Sequence, residues 1–320
     1  MVSRRTIDRW KTLLVLGLLG SLLFSVIALV GRSKKLSGPV ARNDLRALFV
    51  WDTTIPGDPA ATGELLGLAR EKGVNLFFLD SSPVVSDASN HAAYEEFVAW
   101  CHAAEVRVFA LGGFPWWSVP DDAGIAGQLS GHGEGWAYYE AIVASGIPFD
   151  GVADDTEAYL ANTSDWWARP AVRAQQYLDW LDGVRVRTAG LPLFAAIPFW
   201  YDVQPLASLS LRGERTPRAL NTYVADTVDT VLVMSYRDTA LGPDGMIEHA
   251  RGEVEAGPVL LGAETTYLGD DPVSNKVTFW EEGERHMERQ LALTRRAFRG
   301  DSHLRGFFVH DSRGLSALRP

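Results

Sequence analysis

Eight short apolar runs recur along the chain at intervals of roughly 35 residues, and this spacing limits the possible folds more than any other feature. They are RALFVWD at 46–52, VNLFFLD at 74–80, VRVFALGG at 106–113, FDGVADD at 149–155, PLFAAIPFW at 192–200, VDTVLVMSY at 228–236, PVLLGAET at 258–265 and LRGFFVHD at 304–311. Each is short, mostly apolar and bounded by glycine, proline or acidic residues. Runs this short and continuously apolar are how strands buried on both faces appear. Helical patterns lie between them, such as DPAATGELLGLAREKG, which opens on Asp-Pro and closes on glycine. SDASNHAAYEEFVAWCHAAE, TPRALNTYVADTV, PDGMIEHARGEVEAG and TFWEEGERHMERQLALTRRAFRG space apolar residues three or four apart. Strand and helix alternating eight times match the number that closes a parallel sheet on itself. The sequence therefore predicts an α/β fold, a single (β/α)8 TIM barrel over residues 46–320 with a short last helix. An open doubly wound sheet is the alternative. It would bring a glycine-rich turn after the first strand, and VWDTTIPGDP is not one.

Residues 1–35 have another character. Leu13 to Val30 is an 18-residue stretch without charge, flanked by Arg4, Arg5, Arg9 and Lys11 on one side and Arg32, Lys34 and Lys35 on the other. It reads as a transmembrane signal anchor joined to the barrel by a linker at 36–45, which makes the membrane a partner and puts the barrel outside the cytoplasm. A cleaved signal peptide is the alternative, with Val26-x-Ala28 as a weak cleavage site, and the barrel is then secreted.

Residues 1–35 carry seven of the 30 Lys/Arg and one of the 40 Asp/Glu, so the remainder has a net charge of −16. Such a surface repels phosphate backbones and argues against a nucleic-acid partner. One cysteine, Cys101, rules out a disulfide framework and a cysteine metal cluster. The seven histidines form no H-x-H or H-E-x-x-H pattern, and only His310 falls at a strand end, so neither metal nor cofactor is implied.

In a barrel of this kind, catalytic groups occupy the C-terminal strand ends. Those ends offer Trp51 and Asp52, Asp80, Trp116 and Trp117, Asp154, Asp155 and Glu157, Trp200 to Asp202, Tyr236 to Asp238, Glu264 and Tyr267, then His310 and Asp311. A lone acidic residue after a strand is usually a helix cap, which is the ordinary reading of Asp52, Asp202 and Asp311. Asp155 and Glu157 differ. Strand residues two apart point the same way, so Ala153, Asp155 and Glu157 are expected to face the barrel axis together. Two inward carboxylates repel each other and lose hydration, which raises the pKa of at least one. A carboxyl kept protonated near neutral pH is what a general acid needs. Large aromatics at the same end suit sugar rings, whose C–H faces pack on indole and phenol. The chemistry that fits is glycoside cleavage, with carbohydrate as the partner.

FDGVADDTE resembles the fourth-strand signature of chitinase-like family 18 glycoside hydrolases, Asp-Gly-x-Asp-x-Asp-x-Glu. Asp150, Gly151, Asp155 and Glu157 match, and Ala153 stands where the family has its middle aspartate. VMSYRD resembles that family's sixth-strand Met-x-Tyr-Asp through Met234 and Tyr236, with Asp238 one residue late. The resemblance implies a TIM barrel in which Glu157 is the general acid/base. Asp155 then orients the substrate's N-acetyl group, whose carbonyl attacks the anomeric carbon, and Tyr236 holds that group. Glu264 offers a second route as a carboxylate nucleophile after strand seven, unless it forms a structural ion pair with Arg237. Carboxyls about 5–5.5 Å apart would suit retention, and about 6.5–9.5 Å inversion. Trp51, Asp80, Trp116, Trp200, Asp238, Tyr267 and His310 are the expected substrate contacts. Two other readings stay open: a barrel that binds carbohydrate without cleaving it, and a metal-dependent hydrolase such as a deacetylase.

Overall fold

The computed structural model describes residues 44–121, 131–161, 163–188 and 190–320. Eight parallel strands close into a barrel in sequence order. They are β1 (Leu45–Val50), β2 (Leu76–Asp80), β3 (Arg107–Gly112), β4 (Gly151–Asp154), β5 (Leu193–Pro198), β6 (Thr230–Met234), β7 (Val259–Glu264) and β8 (Leu304–His310). Each apolar run matches one strand, and β1 starts one residue ahead of its run, at Leu45. β8 pairs in parallel with β1, which closes the barrel and leaves no free edge.

The principal helices follow the strands one by one: α1 (Pro59–Lys72), α2 (His91–Ala103), α3 (His132–Ala144), α4 (Pro170–Arg187), α5 (Leu220–Thr227), α6 (Met246–Ala256), α7 (Glu284–Ala297) and the short α8 (Ser312–Ala317). The signals at the ends of α1 work as their chemistry requires. Asp58 accepts hydrogen bonds from the Ala60 and Ala61 amides at 2.8 and 3.1 Å, and Gly73 stops the helix at φ 67°. α7 is shorter than its sequence pattern. The preceding Phe279 amide donates to the Glu264 carbonyl at 2.9 Å, which ties that segment to β7 and keeps it out of the helix.

Alternation along each strand sorts the side chains. Leu48, Val50, Phe77, Leu79, Val108, Ala110 and Val152 pack outward with the helices in one apolar core. Phe49, Phe78, Phe109, Phe194 and Phe308 fill the barrel instead, with paired ring centroids 4.7–6.1 Å apart. Burying each such ring contributes about 1.5–3 kcal/mol. Glycine gives these rings room, since a Cβ at Gly151 would lie 2.5 Å from the Phe109 ring. The packed plug leaves chemistry to the mouth above it.

The expected anchor at 13–30 and the linker at 36–45, except Asp44 and Leu45, lie outside the described residues. Among the described residues, no helix is long and apolar enough to cross a membrane.

Candidate active site

Four acidic residues around β4 have four different surroundings. Asp150 precedes the strand and holds its lower end, accepting from the Val108 amide and pairing with His102 Nε2, both at 2.8 Å. Asp154 points outward beneath the helices and is fully buried. It accepts from Thr156 Oγ1 at 2.7 Å, Tyr139 at 3.1 Å and Trp180 Nε1 at 3.2 Å. Burial pushes its carboxyl up to about 6, against the pull of those bonds. It anchors the strand end to α3 and α4.

Asp155 is the next inward position. Its amide donates to the Gly112 carbonyl at 2.8 Å. Gly113 passes so close that a Cβ there would meet the Asp155 backbone at 2.3–2.6 Å, and its φ of +153° also favours glycine. Burial, then the Glu157 charge, push the Asp155 carboxyl up to about 7, while the charge of His310 pulls it down.

Glu157 corrects the expectation that alternation would aim it inward from the strand. β4 stops at Asp154, and Glu157 sits in the turn beyond, at φ 43° and ψ 54°. This left-handed conformation costs a side-chain-bearing residue about 1–2 kcal/mol, and such strain gathers at functional sites. Tyr159 donates to Glu157 Oε1 at 2.5 Å. The Tyr159 ring meets Trp200 edge-on at 5.1 Å, and Trp200 lies 5.2 Å from the exposed Trp167. An aromatic wall thus stands beside the carboxylate.

β7, β8 and β1 supply the other side of the mouth. Glu264 Oε1 accepts from the Thr265 amide, the Thr266 amide and Thr266 Oγ1 at 2.8, 2.7 and 2.6 Å. Its Oε2 lies 2.7 Å from His310 Nδ1, across adjacent register positions. Trp51 Nε1 reaches His310 Nε2 at 3.0 Å. An indole N–H can only donate, so Nε2 accepts and Nδ1–H donates to Glu264. Burial alone would raise Glu264 and lower His310. The bond between them and their charges outweigh it, holding Glu264 below and His310 above their ordinary values. Arg237 is not the partner of Glu264: it pairs with Asp244 at 2.9 Å and lies over the Phe199 ring. Burial pushes the Tyr236 hydroxyl well above its ordinary range, reinforced in turn by the charges of Glu264, Asp155 and Glu157. A Cβ at Gly262 would lie 2.7 Å from the Tyr236 ring, so that glycine seats the tyrosine.

The structure therefore brings Asp155, Glu157, Tyr236, Glu264, His310, Trp51 and Trp200 to one mouth. Asp80 does not join them by any hydrogen bond; its carboxylate accepts from the Ser82 amide at 2.9 Å and opens a short helix, Ser82–Ser86. Asp238 lies apart, because its charged neighbours are His286, Arg237 and Asp244. Trp116 contacts Phe114 on the β3 rim, whereas Trp117 packs into the core against Tyr138, Tyr139 and Trp180. Tyr267 is an outer rim residue beside Trp280. Asp52 and Asp311 are turn and cap residues, bonded to Thr54 and to the Gly314 amide. Tyr159 and the two threonines after Glu264 were not singled out from the sequence. Their signal was adjacency: each follows a site carboxylate by one or two residues.

Among the described residues, no group of three or more His, Cys, Asp and Glu is arranged to hold a metal ion. The site can exchange a proton at Glu157, hold a second carboxyl near neutrality at Asp155, and surround a developing cation with negative charge.

No family model and no curated protein matches the sequence. Solved structures do match its fold. A class V chitinase mutant from Cycas revoluta, in complex with (GlcNAc)3, superposes with a TM-score of 0.52 at 14% identity, covering 86% of this chain and 97% of that one. A family GH18 chitinase from Cycas revoluta in complex with allosamidin gives 0.50 at 14% identity, covering 84% and 95%. A Toxoplasma gondii protein described as a deoxyribose-phosphate aldolase also gives 0.50, at 8% identity, covering 87% and 93%. The chain is similar in fold to family 18 chitinases, and the aldolase match shows that this fold hosts other chemistry as well.

Proposed function

We propose that this protein is a retaining glycoside hydrolase that cleaves a glycan containing N-acetylhexosamine. The observation that carries the reading is the carboxyl pair at the end of β4: Glu157 in a strained turn against an aromatic wall, with Asp155 beside it at the barrel mouth. Glu157 protonates the glycosidic oxygen as the bond to the anomeric carbon breaks. The substrate's own acetamido oxygen attacks that carbon from the other face and closes a five-membered ring. Asp155 accepts the acetamido N–H and balances the charge that develops there. Tyr236 donates to the acetamido oxygen and aligns it. Water then opens the ring at the anomeric carbon, giving its proton back to Glu157.

The state of Glu264 favours this route over a second carboxylate nucleophile. Both its oxygens are engaged by four donors, which makes it a fixed anion that orients His310. The chitinases of similar fold, one in complex with (GlcNAc)3, point to the same substrate class. Ala153 favours a second reading, a barrel that binds glycan without cleaving it. Its methyl group faces inward just below Asp155 and offers no hydrogen bond there.

Hydrolysis of N-acetylglucosamine oligomers, set against their de-N-acetylated counterparts, tests the proposal. The expected result is cleavage of the acetylated series only, abolished in Glu157→Gln. Binding without turnover in wild type would establish the second reading, and equal cleavage of both series would exclude substrate assistance.

A further inference from the structure

The β7 loop carries a second cleft, away from the carboxylate pair. It has a volume of about 320 Å³ and is lined by Tyr267, Asp270, Trp280, Glu281, Ala317 and Arg319. That is the lower end of the range for small-ligand sites, enough for a sugar unit or two. Tyr267 leaves 52% of its surface in solvent. Its ring and that of Trp280 lie 6.2 Å apart at 59°, forming a wedge of two flat apolar faces.

The polar groups around the wedge are of both kinds. Asp270 stands beside Tyr267 in the cleft lining. Glu281 has one carboxylate oxygen buried without a hydrogen-bond partner, a costly arrangement unless a donor reaches it. Arg319 brings donors to the same cleft. Two carboxylates disfavour a phosphate-bearing ligand, and the guanidinium disfavours a simple ammonium. A neutral ligand with C–H faces and many hydroxyls satisfies all of these groups at once.

The cleft is also built on the strand that carries Glu264. Thr278 Oγ1 donates to the Thr266 carbonyl at 2.7 Å, and the Trp280 amide donates to Thr278 Oγ1 at 3.1 Å. Thr266 is the residue whose amide and hydroxyl hold Glu264 Oε1. Trp280 is thus fixed relative to the mouth by three short links.

We propose that the Tyr267–Trp280 cleft is a second carbohydrate site, gripping a pyranose unit of the same glycan at a distance from the bond that is cut. The proposal rests on the glycoside hydrolase reading and adds that the substrate is an extended chain. The test uses the full chain, N-acetylglucosamine oligomers of two to six units and insoluble chitin as probes. In Tyr267→Ala and Tyr267→Ala/Trp280→Ala, the KM ratio between the shortest cleaved oligomer and the hexamer should collapse, with hexamer KM rising about tenfold or more, the loss expected when aromatic stacking on a sugar is removed. In a Glu157→Gln background, retention on chitin should fall by a similar factor when Tyr267 is removed. Tyr267 is exposed, so its single variant keeps the fold intact if the double variant does not. An unchanged KM ratio, or no Tyr267-dependent retention on chitin, overturns the second site while leaving the hydrolase reading standing. Tyr267-dependent retention without any hydrolysis keeps the site and refutes the hydrolase.

Discussion

Glu264 and His310 meet at the ends of β7 and β8 through a 2.7 Å bond, and that bond engages the one oxygen of Glu264 that the threonines leave free. Removing the imidazole strands a buried acceptor, so His310→Ala should destabilise the fold by about 1–3 kcal/mol. The sign of its pH dependence follows from both partners. Glu264 sits below its ordinary 4.5, so its contribution is present above that pH and lost as pH falls through the lower folded value. His310 sits above its ordinary 6.5, so its contribution is complete below 6.5 and lost as pH rises through the higher folded value. Urea denaturation of wild type and variant should show the largest difference between those two pH values, narrowing on either side.

Trp51 restrains the same histidine. Its indole N–H occupies His310 Nε2, where a second proton would otherwise go. Trp51→Phe should therefore raise the His310 pKa further, as followed by the ring C–H resonances in an NMR titration. An unchanged or lower pKa would mean that the indole does not hold Nε2.

Asp155 has the opposite relation to stability. Its carboxyl is raised from 3.8 to about 7, chiefly by burial, so between those values the folded state holds a proton that the unfolded chain has released. Stability contributed by this group falls as pH rises through that window. Asp155→Asn should melt higher than wild type at pH 8 and equal to it at pH 3.5. For a domain of this size, each kcal/mol gained raises Tm by about 2–4 °C. The same variant should lose turnover, because the amide cannot carry the balancing charge.

Gly113 fixes where Asp155 lies. Gly113→Ala puts a methyl group 2.3–2.6 Å from the Asp155 backbone. Overpacking of this kind costs about 1–3 kcal/mol, and here the chain that must yield carries the site. Turnover should fall by more than the lost stability explains, measured well below the variant's Tm.

The barrel was legible in the sequence because its cause is periodic. Eight apolar runs with capped helices between them leave a parallel sheet few other ways to close. The inward set at the strand ends was legible for the same reason, from Trp51 to His310. What lay beyond the strands was not. Glu157 keeps its place in the site through a left-handed turn, which simple alternation cannot foresee in a residue that is not glycine. Asp238 shares the composition of a site residue but belongs to a local polar network with His286, Arg237 and Asp244, and only the chain's path separates it from the mouth. The Glu264–His310 bond joins residues 46 apart in sequence, and neither residue's local surroundings name the other.

Glu157 is the group that passes the proton in the proposed reaction. Its most direct test is kcat for Glu157→Gln on the best-cleaved N-acetylglucosamine oligomer, with circular dichroism and Tm matched to wild type. The predicted result is a loss of about 10²–10⁴-fold, the contribution of a positioned acid/base, with oligomer binding retained. Turnover close to that of wild type in a correctly folded variant would contradict it.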